Sequence, residues 1–71
     1  MSEFISTDPE ILSGSSVFKG TRVLVQSLFD YLEGGDSINE FLSDFPTVSR
    51  EQVIGLLEEL KREAVSISEA A

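Results

Sequence analysis

The stretch "VFKGTRVLV", residues 17–25, decides how the rest of the sequence is interpreted. It is an apolar run that two cations, a glycine and a threonine interrupt. The chain has five Lys and Arg against thirteen Asp and Glu, yet Lys19 and Arg22 stand three residues apart within this run. Before it the sequence is typical of short strands, and after it the apolar residues recur with a helical period. The stretch therefore marks the junction between a β part and a helical part.

Two short strands are predicted on the N-terminal side. "EFIST", residues 3–7, is the first, and residues 17–19 are the second. Between them, "DPE" at 8–10 predicts a turn or a single helical turn, because Pro fixes its own φ and Asp accepts backbone N–H bonds. "SGSS" at 13–16 predicts a loop. Two strands are marginal alone. We therefore expect them to form a hairpin, to pair across a dimer or to pack firmly on the helices.

The first two helices are predicted from apolar spacing and from their end signals. The first begins at Val25 and ends at the glycines 34–35, since glycine adopts a left-handed cap without steric cost. The second opens with a capping box formed by Ser37 and Glu40, and Pro46 stops it. Their apolar stripes are Val25, Leu28, Phe29 and Leu32, and then Ile38, Phe41, Leu42 and Phe45.

The third helix opens with a second capping box, Ser49 with Gln52. Its stripe consists of Val53, Leu56, Leu57, Leu60 and Ala64. The connection "FPTVS", residues 45–49, is short enough for the second and third helices to form a helix-turn-helix, with Val48 as a hydrophobic staple. The predicted fold is mainly α: two short N-terminal strands followed by a three-helix, helix-turn-helix-like core. Residues 1–65 form a single domain, and residues 66–71 are expected to fray.

Composition limits the classes of function. A net charge of −8 repels nucleic acids and anionic lipids and favours basic partners, although it also serves solubility. Without a basic segment ahead of an apolar run, and without about 20 consecutive apolar residues, we expect a cytoplasmic protein and no membrane partner. The chain has no His or Cys, and we expect no metal, no cofactor and no enzymatic activity. At this length a monomeric core is marginal, so self-association is expected.

The residues 8–46 resemble the family of domain of unknown function 433. The shared pattern is a DPE-like turn, "GTR" between an apolar strand and a helix of fixed length, a Gly at the end of that helix, and Pro46 before a helix that begins at Ser49. The resemblance covers about residues 4–60. Ser16 and Leu24 stand where the family often has Pro. The second difference leaves the start of the first helix less sharply defined and allows it to begin one residue early, at Leu24.

The resemblance implies a strand-plus-three-helix, homeodomain-like fold that is commonly dimeric. Some relatives look like VapB-type antitoxins, which are encoded beside a toxin with a PIN-like ribonuclease domain. Many other relatives have no assigned role.

The residues "KGTR" permit two interpretations. As an anion site, the stretch would use the charges of Lys19 and Arg22, the Thr21 hydroxyl and backbone N–H groups around Gly20, but it lacks the spacing of a P-loop. As a structural motif, Gly20 supplies a disfavoured φ and Arg22 ties the turn to Asp8, to Glu10 or to backbone carbonyls. We favour the structural interpretation, with Asp8, Gly20, Thr21 and Arg22 as the motif.

The third helix carries the residues that are candidates for contacts with DNA. Arg50 can bond guanine and Gln52 can bond adenine. We expect both to be exposed, together with Ser49, Glu51 and Gly55. Five cations neutralise few phosphates, however, and Arg50 can instead counter Glu51 and Asp44.

Further along the same helix, Glu58 and Arg62 are spaced to pair at i and i+4. The apolar positions Leu57, Leu60 and Ala64 are either core or an anchor for a groove in a partner protein.

Three functions follow from these features. The leading hypothesis is a dimeric, acidic interaction module that binds a basic, toxin-like ribonuclease. The second is an autonomous helix-turn-helix regulator that binds DNA, weakly for the isolated chain. The third is an accessory structural domain without activity of its own.

Overall fold

The N-terminal strands pair with each other. The computed structural model describes the backbone of residues 3–7 and 15–70 and the side chains of residues 3–7 and 15–66. Strand β1, Ile5–Thr7, and strand β2, Ser16–Phe18, are antiparallel, with Ile5 opposite Phe18. Of the predicted alternatives, the hairpin within one chain is confirmed. The predicted turn at 8–10 lies outside the described residues.

Both ends of β2 differ by one residue from the prediction. Ser16, which was assigned to a loop, belongs to the strand because it pairs with Thr7 at the end of the ladder. Lys19 lies in the turn that follows, although its N–H still donates to the carbonyl of Phe4 at 2.9 Å.

Three helices follow the hairpin: α1, Val25–Glu33; α2, Ile38–Asp44; and α3, Arg50–Ala70. The predicted mainly α fold with two strands before three helices is therefore confirmed. Helix α3 continues through Ala70, so the backbone of residues 66–70 is helical. The domain limit at residue 65 and the fraying of the tail stay predictions.

The start of α1 is fixed by a backbone contact with the hairpin. Leu24 is extended, with φ −65° and ψ 136°, and forms an isolated bridge with Val17 of β2. That bridge keeps Leu24 out of the helix, so α1 does not begin one residue early. At the other end Gly35 has φ +90°, and the N–H of Asp36 donates to the carbonyl of Tyr31 at 2.9 Å. The predicted glycine stop is confirmed at Gly35.

Both predicted capping boxes are present. The Ser37 hydroxyl accepts from the N–H of Glu40 at 3.1 Å, and the Glu40 carboxylate accepts from the N–H of Ser37 at 3.0 Å. Ser49 and Gln52 make the same pair of bonds, at 3.1 and 3.0 Å. Each box satisfies two backbone donors that the first turn leaves without a partner.

The core lies where β2 and the three helices meet. Phe41 contacts the rings of Phe18, Tyr31 and Phe45, with ring centroids 4.9–6.0 Å apart. Val48, the predicted staple, is buried in the same cluster as Val53. The six buried members of the cluster are Phe18, Leu28, Phe41, Val48, Val53 and Leu56. The helix-turn-helix pair is therefore held by its own connection as well as by its helices.

Candidate interaction surface

The turn at residues 19–22 is built around Gly20 and Thr21. Gly20 has φ +79°, the left-handed conformation that the sequence predicted for it. The Thr21 hydroxyl donates to the carbonyl of Phe18 at 2.8 Å and accepts from the N–H of Val23 at 3.0 Å. The side chain of Thr21 thus ties the end of β2 to the segment that leads into α1.

Arg22 does not make the contacts that were predicted for it within the described part of the chain. Its side chain is exposed and forms no hydrogen bond or ion pair there. Asp8 and Glu10, two of its predicted partners, lie outside the described residues. Within the described residues the structural role assigned to the motif rests on Gly20 and Thr21, and the ties of Arg22 to Asp8 or Glu10 stay predictions.

A concave surface of about 720 Å³ opens beside this turn. Arg22 contributes to its wall, Lys19 does not, and the Thr21 hydroxyl is already engaged on both sides. The anion site considered for "KGTR" thus has one of its two cations and no available threonine hydroxyl. The residues that line the surface are Ser6, Gly20, Thr21, Arg22, Val23, Leu24, Ser27, Phe45 and Thr47.

The hairpin covers one side of α3, including positions that were predicted to read DNA. The Gln52 side chain donates from Nε2 to the carbonyl of Lys19 at 2.8 Å, while its Oε1 accepts from the N–H of Ser49. Gly55 faces the ring of Phe4: a Cβ at position 55 would lie 2.6 and 2.7 Å from Cε2 and Cε1. Gln52 and Gly55 therefore join α3 to the hairpin, and Gly55 is not the exposed position that was expected.

Arg50, the other candidate for a base contact, is exposed at the start of α3. Its guanidinium donates to Oδ1 of Asn39 on α2, not to Glu51 or Asp44 as predicted. This hydrogen bond joins α2 and α3, the two helices of the helix-turn-helix, at the protein surface.

Carboxylates dominate the surface of α1 and α2. Residues 23–49 contain no Lys or Arg. The exposed carboxylates of this segment, here called the α1–α2 carboxylates, are Asp30, Glu33, Asp36, Glu40 and Asp44. Three of them accept hydrogen bonds: Asp30 from the Gln26 amide at 3.0 Å, Glu40 from the N–H of Ser37 at 3.0 Å, and Asp44 from the Tyr31 hydroxyl at 2.6 Å.

The bond to Asp44 changes the chemistry of Tyr31. The hydrogen bond that the phenol donates to the carboxylate raises the pKa of Tyr31, and desolvation and the nearby negative charges raise that pKa further. Ionisation of the phenol would remove the donor and place a second negative charge beside Asp44. Tyr31 therefore remains protonated and joins α1 to α2.

The apolar stripe of α3 passes from the core to the surface. Val53 and Leu56 are buried, Leu57 is half-buried against the core, and Leu60 is 41% exposed. Ala64 is exposed as well. The three candidate partner contacts thus divide: Leu57 packs on the core, whereas Leu60 and Ala64 lie at the surface.

The charged side of α3 is paired differently from the prediction. Glu58 forms an ion pair with Lys61 at 3.9 Å, in place of the expected pair with Arg62.

Within residues 3–7 and 15–66, no three His, Cys, Asp or Glu side chains come together as a metal site. Among the described residues, no helix is both long and apolar enough to cross a bilayer.

Three contacts of the structure were not predicted from the sequence: Phe4 with Gly55, Tyr31 with Asp44, and Arg50 with Asn39. For the first a signal existed, because a glycine inside a helix costs roughly 1 kcal/mol relative to Ala and often marks a close approach. The other two join residues whose spacing in the sequence has no helical or strand period.

These features define a small hairpin-plus-three-helix domain with a helix-turn-helix core. A family model described as "Protein of unknown function (DUF433)" matches residues 5–58, and the chain belongs to that family. The match ends within α3, just after the last half-buried position of its apolar stripe. No curated protein and no solved structure matches the chain.

Proposed function

We propose that this protein is a non-enzymatic interaction module that binds a basic protein, in the manner of a VapB-type antitoxin that occupies a PIN-like ribonuclease toxin. The observation that carries the proposal is the set of α1–α2 carboxylates: five exposed acids within 27 residues that contain no cation. The toxin-like identity of the partner comes from the family resemblance.

The charge is unevenly distributed along the chain, which supports a role beyond solubility. Residues 50–66 carry three of the five cations, at Arg50, Lys61 and Arg62, beside four carboxylates. The negative field is therefore stronger over α1 and α2 than along α3. A surface of one sign raises the association rate with an oppositely charged partner and orients the encounter.

The alternative of an autonomous DNA-binding regulator has less support. Base contacts by Gln52 would require it to give up its bonds to Lys19 and Ser49. The exposed start of α3 also presents Glu51 beside Arg50. Since each phosphate contact requires a cation, this helix offers few of the charges that DNA binding needs.

The test is co-expression with the product of a neighbouring gene that encodes a basic, ribonuclease-like protein, followed by purification at physiological salt. The double variant Glu33→Lys/Asp36→Lys should lose the partner, because it reverses two of the α1–α2 carboxylates. The control is Glu51→Lys/Glu63→Lys, which changes the net charge equally but lies on α3 and should retain the complex.

Two outcomes contradict the proposal. One is the absence of any such neighbouring gene together with no basic protein in the purified material. The other is equal loss of the partner in both double variants, which would mean that net charge, not the α1–α2 surface, determines binding.

A further inference from the structure

Four exposed residues of α3 form a ridge along one side of the helix: Ile54, Glu58, Lys61 and Val65. Their spacing of four, three and four residues places all of them within an arc of about 60°. Ile54 and Val65 are 40% and 46% exposed, and they are two of the three large apolar side chains that the described surface leaves exposed. The ridge therefore has apolar ends and a charged middle.

The order of the four side chains is complementary to itself when it is read backwards. From the N-terminal end the ridge is apolar, acidic, basic and apolar, and in reverse it is apolar, basic, acidic and apolar. In two antiparallel helices related by a two-fold axis between residues 59 and 60, Ile54 faces Val65 of the second copy. Glu58 then faces Lys61, and each pairing occurs twice, as in any isologous interface.

We infer that this ridge is the contact by which two copies of the chain associate, through antiparallel α3 helices. The contact would cover the two apolar ends of the ridge and form two ion pairs between chains. It is independent of the proposed function, because it concerns the purified chain alone.

The distribution of charge favours this surface over others for self-association. Two chains of net charge −8 repel each other. That repulsion is weakest along α3, where three cations balance most of the four carboxylates of residues 50–66. The α1–α2 carboxylates have no such balance.

The two charged residues of the ridge are available to a second chain. Glu58 and Lys61 form a pair within the helix at 3.9 Å, and their side chains are 55% and 68% exposed. An ion pair so open to water contributes little to stability. Because β1 and β2 pair within one chain, strand exchange is not required for a dimer.

Charge substitutions test the pairing by sedimentation equilibrium over a range of protein concentrations. Glu58→Lys and Lys61→Glu each place like charges opposite each other, and each should weaken association by about tenfold or more. The double variant Glu58→Lys/Lys61→Glu should restore it, since the reversed ridge is again self-complementary. An equal mixture of the two single variants should also associate. Glu63→Lys, which makes the same charge change off the ridge, should not alter association.

Disulfide cross-linking tests the antiparallel orientation of the two α3 helices. The chain has no native Cys that would form competing disulfides. Under oxidation, a mixture of Ile54→Cys and Val65→Cys proteins should form a mixed disulfide, whereas Ile54→Cys alone should not cross-link. Circular dichroism checks that each variant is folded, as expected for exposed positions.

Three results would overturn the inference. They are a strict monomer at high concentration, single charge variants that associate like the parent, or a disulfide between two copies of position 54. The last would show parallel helices.

Discussion

At Thr21, one hydroxyl makes two hydrogen bonds at the point where the strand segment becomes helical. It donates to the carbonyl of Phe18 and accepts from the N–H of Val23, in a partly buried position. Valine has nearly the same shape but can make neither bond. The substitution would leave the N–H of Val23 without this partner in a partly buried position, while the carbonyl of Phe18 would keep its bond from the N–H of Thr21.

Thr21→Val is therefore expected to lower the free energy of unfolding by about 1–3 kcal/mol. Thr21→Ser keeps the hydroxyl and should retain most of the stability. Urea denaturation of both variants measures the difference. A Val variant as stable as the parent would show that the hydroxyl does not hold the turn.

In the same turn, the role of one residue could be predicted from its type and the role of another could not. The left-handed conformation of Gly20 was predicted because glycine is the residue that adopts it at little cost. The predicted clamp by Arg22 has no such local basis, since an arginine reaches many acceptors and the sequence does not select among them. Two of those acceptors, Asp8 and Glu10, lie outside the described residues, so the clamp stays a prediction, and the bonds described at this turn are those of Thr21.

The contact between the hairpin and α3 depends on Gly55, because a Cβ there would overlap the ring of Phe4. Gly55→Ala should therefore destabilise the protein by about 1–3 kcal/mol through overpacking. In a Phe4→Ala background the same change should stabilise it by about 0.5–1 kcal/mol, since Ala is the better helix former.

A double-mutant cycle by thermal or urea unfolding measures this reversal of sign. If Gly55→Ala had the same effect with and without the Phe4 ring, the two residues would not be coupled. The hairpin would then have to be held on α3 by other contacts, such as the bond from Gln52 to Lys19.

Because of the hydrogen bond between Tyr31 and Asp44, the stability of the packing between α1 and α2 should depend on pH in the alkaline range. Because the pKa of Tyr31 is raised above its usual value of 10.0, the protonated phenol stabilises the fold. This contribution is fully present below pH 10 and is lost as the pH rises through the raised pKa. Tyr31→Phe should remove this part of the pH dependence.

Tyrosinate absorbance measures the shift directly, because Tyr31 is the one tyrosine of the chain and there is no tryptophan. Asp44→Asn should lower the pKa of Tyr31 toward its ordinary value, while Glu33→Gln, a loss of one charge elsewhere on α1, should change it less. An unchanged titration in the Asp44 variant would contradict the assigned cause.

The helices and their ends were predictable because their signals are local. Ser37 and Glu40, or Ser49 and Gln52, lie three residues apart and satisfy each other within one turn. The bond from Gln52 to Lys19 spans 33 residues, and no period in the sequence connects the two. The excess of acidic groups was predictable from composition, but their concentration on α1 and α2 and the side of α3 that the hairpin covers were not.

For the molecule as a whole, the excess of carboxylates is a destabilising term that salt can reduce. The Debye length, over which charges interact, falls from roughly 30 Å at 0.01 M salt to about 3 Å at 1 M. With a net charge of −8, we expect sodium chloride to raise the melting temperature. A gain of about 1 kcal/mol would correspond to roughly 4–8 °C for a domain of this size.

Calorimetry at several salt concentrations tests this. The variant Glu33→Gln/Asp36→Asn, which removes two of the α1–α2 carboxylates, should show a smaller rise than the parent. An equal rise in both would indicate that the repulsion does not arise on α1 and α2.

Helix α3 is a single uninterrupted helix that leaves the core near Leu57 and continues to Ala70. At 1.5 Å per residue it rises by about 20 Å over that distance. Since Leu60 and Ala64 are exposed, this outer part of the helix receives little support from the core. On heating, its turns should unwind before those that pack on Phe41, and amide hydrogen exchange should be faster there.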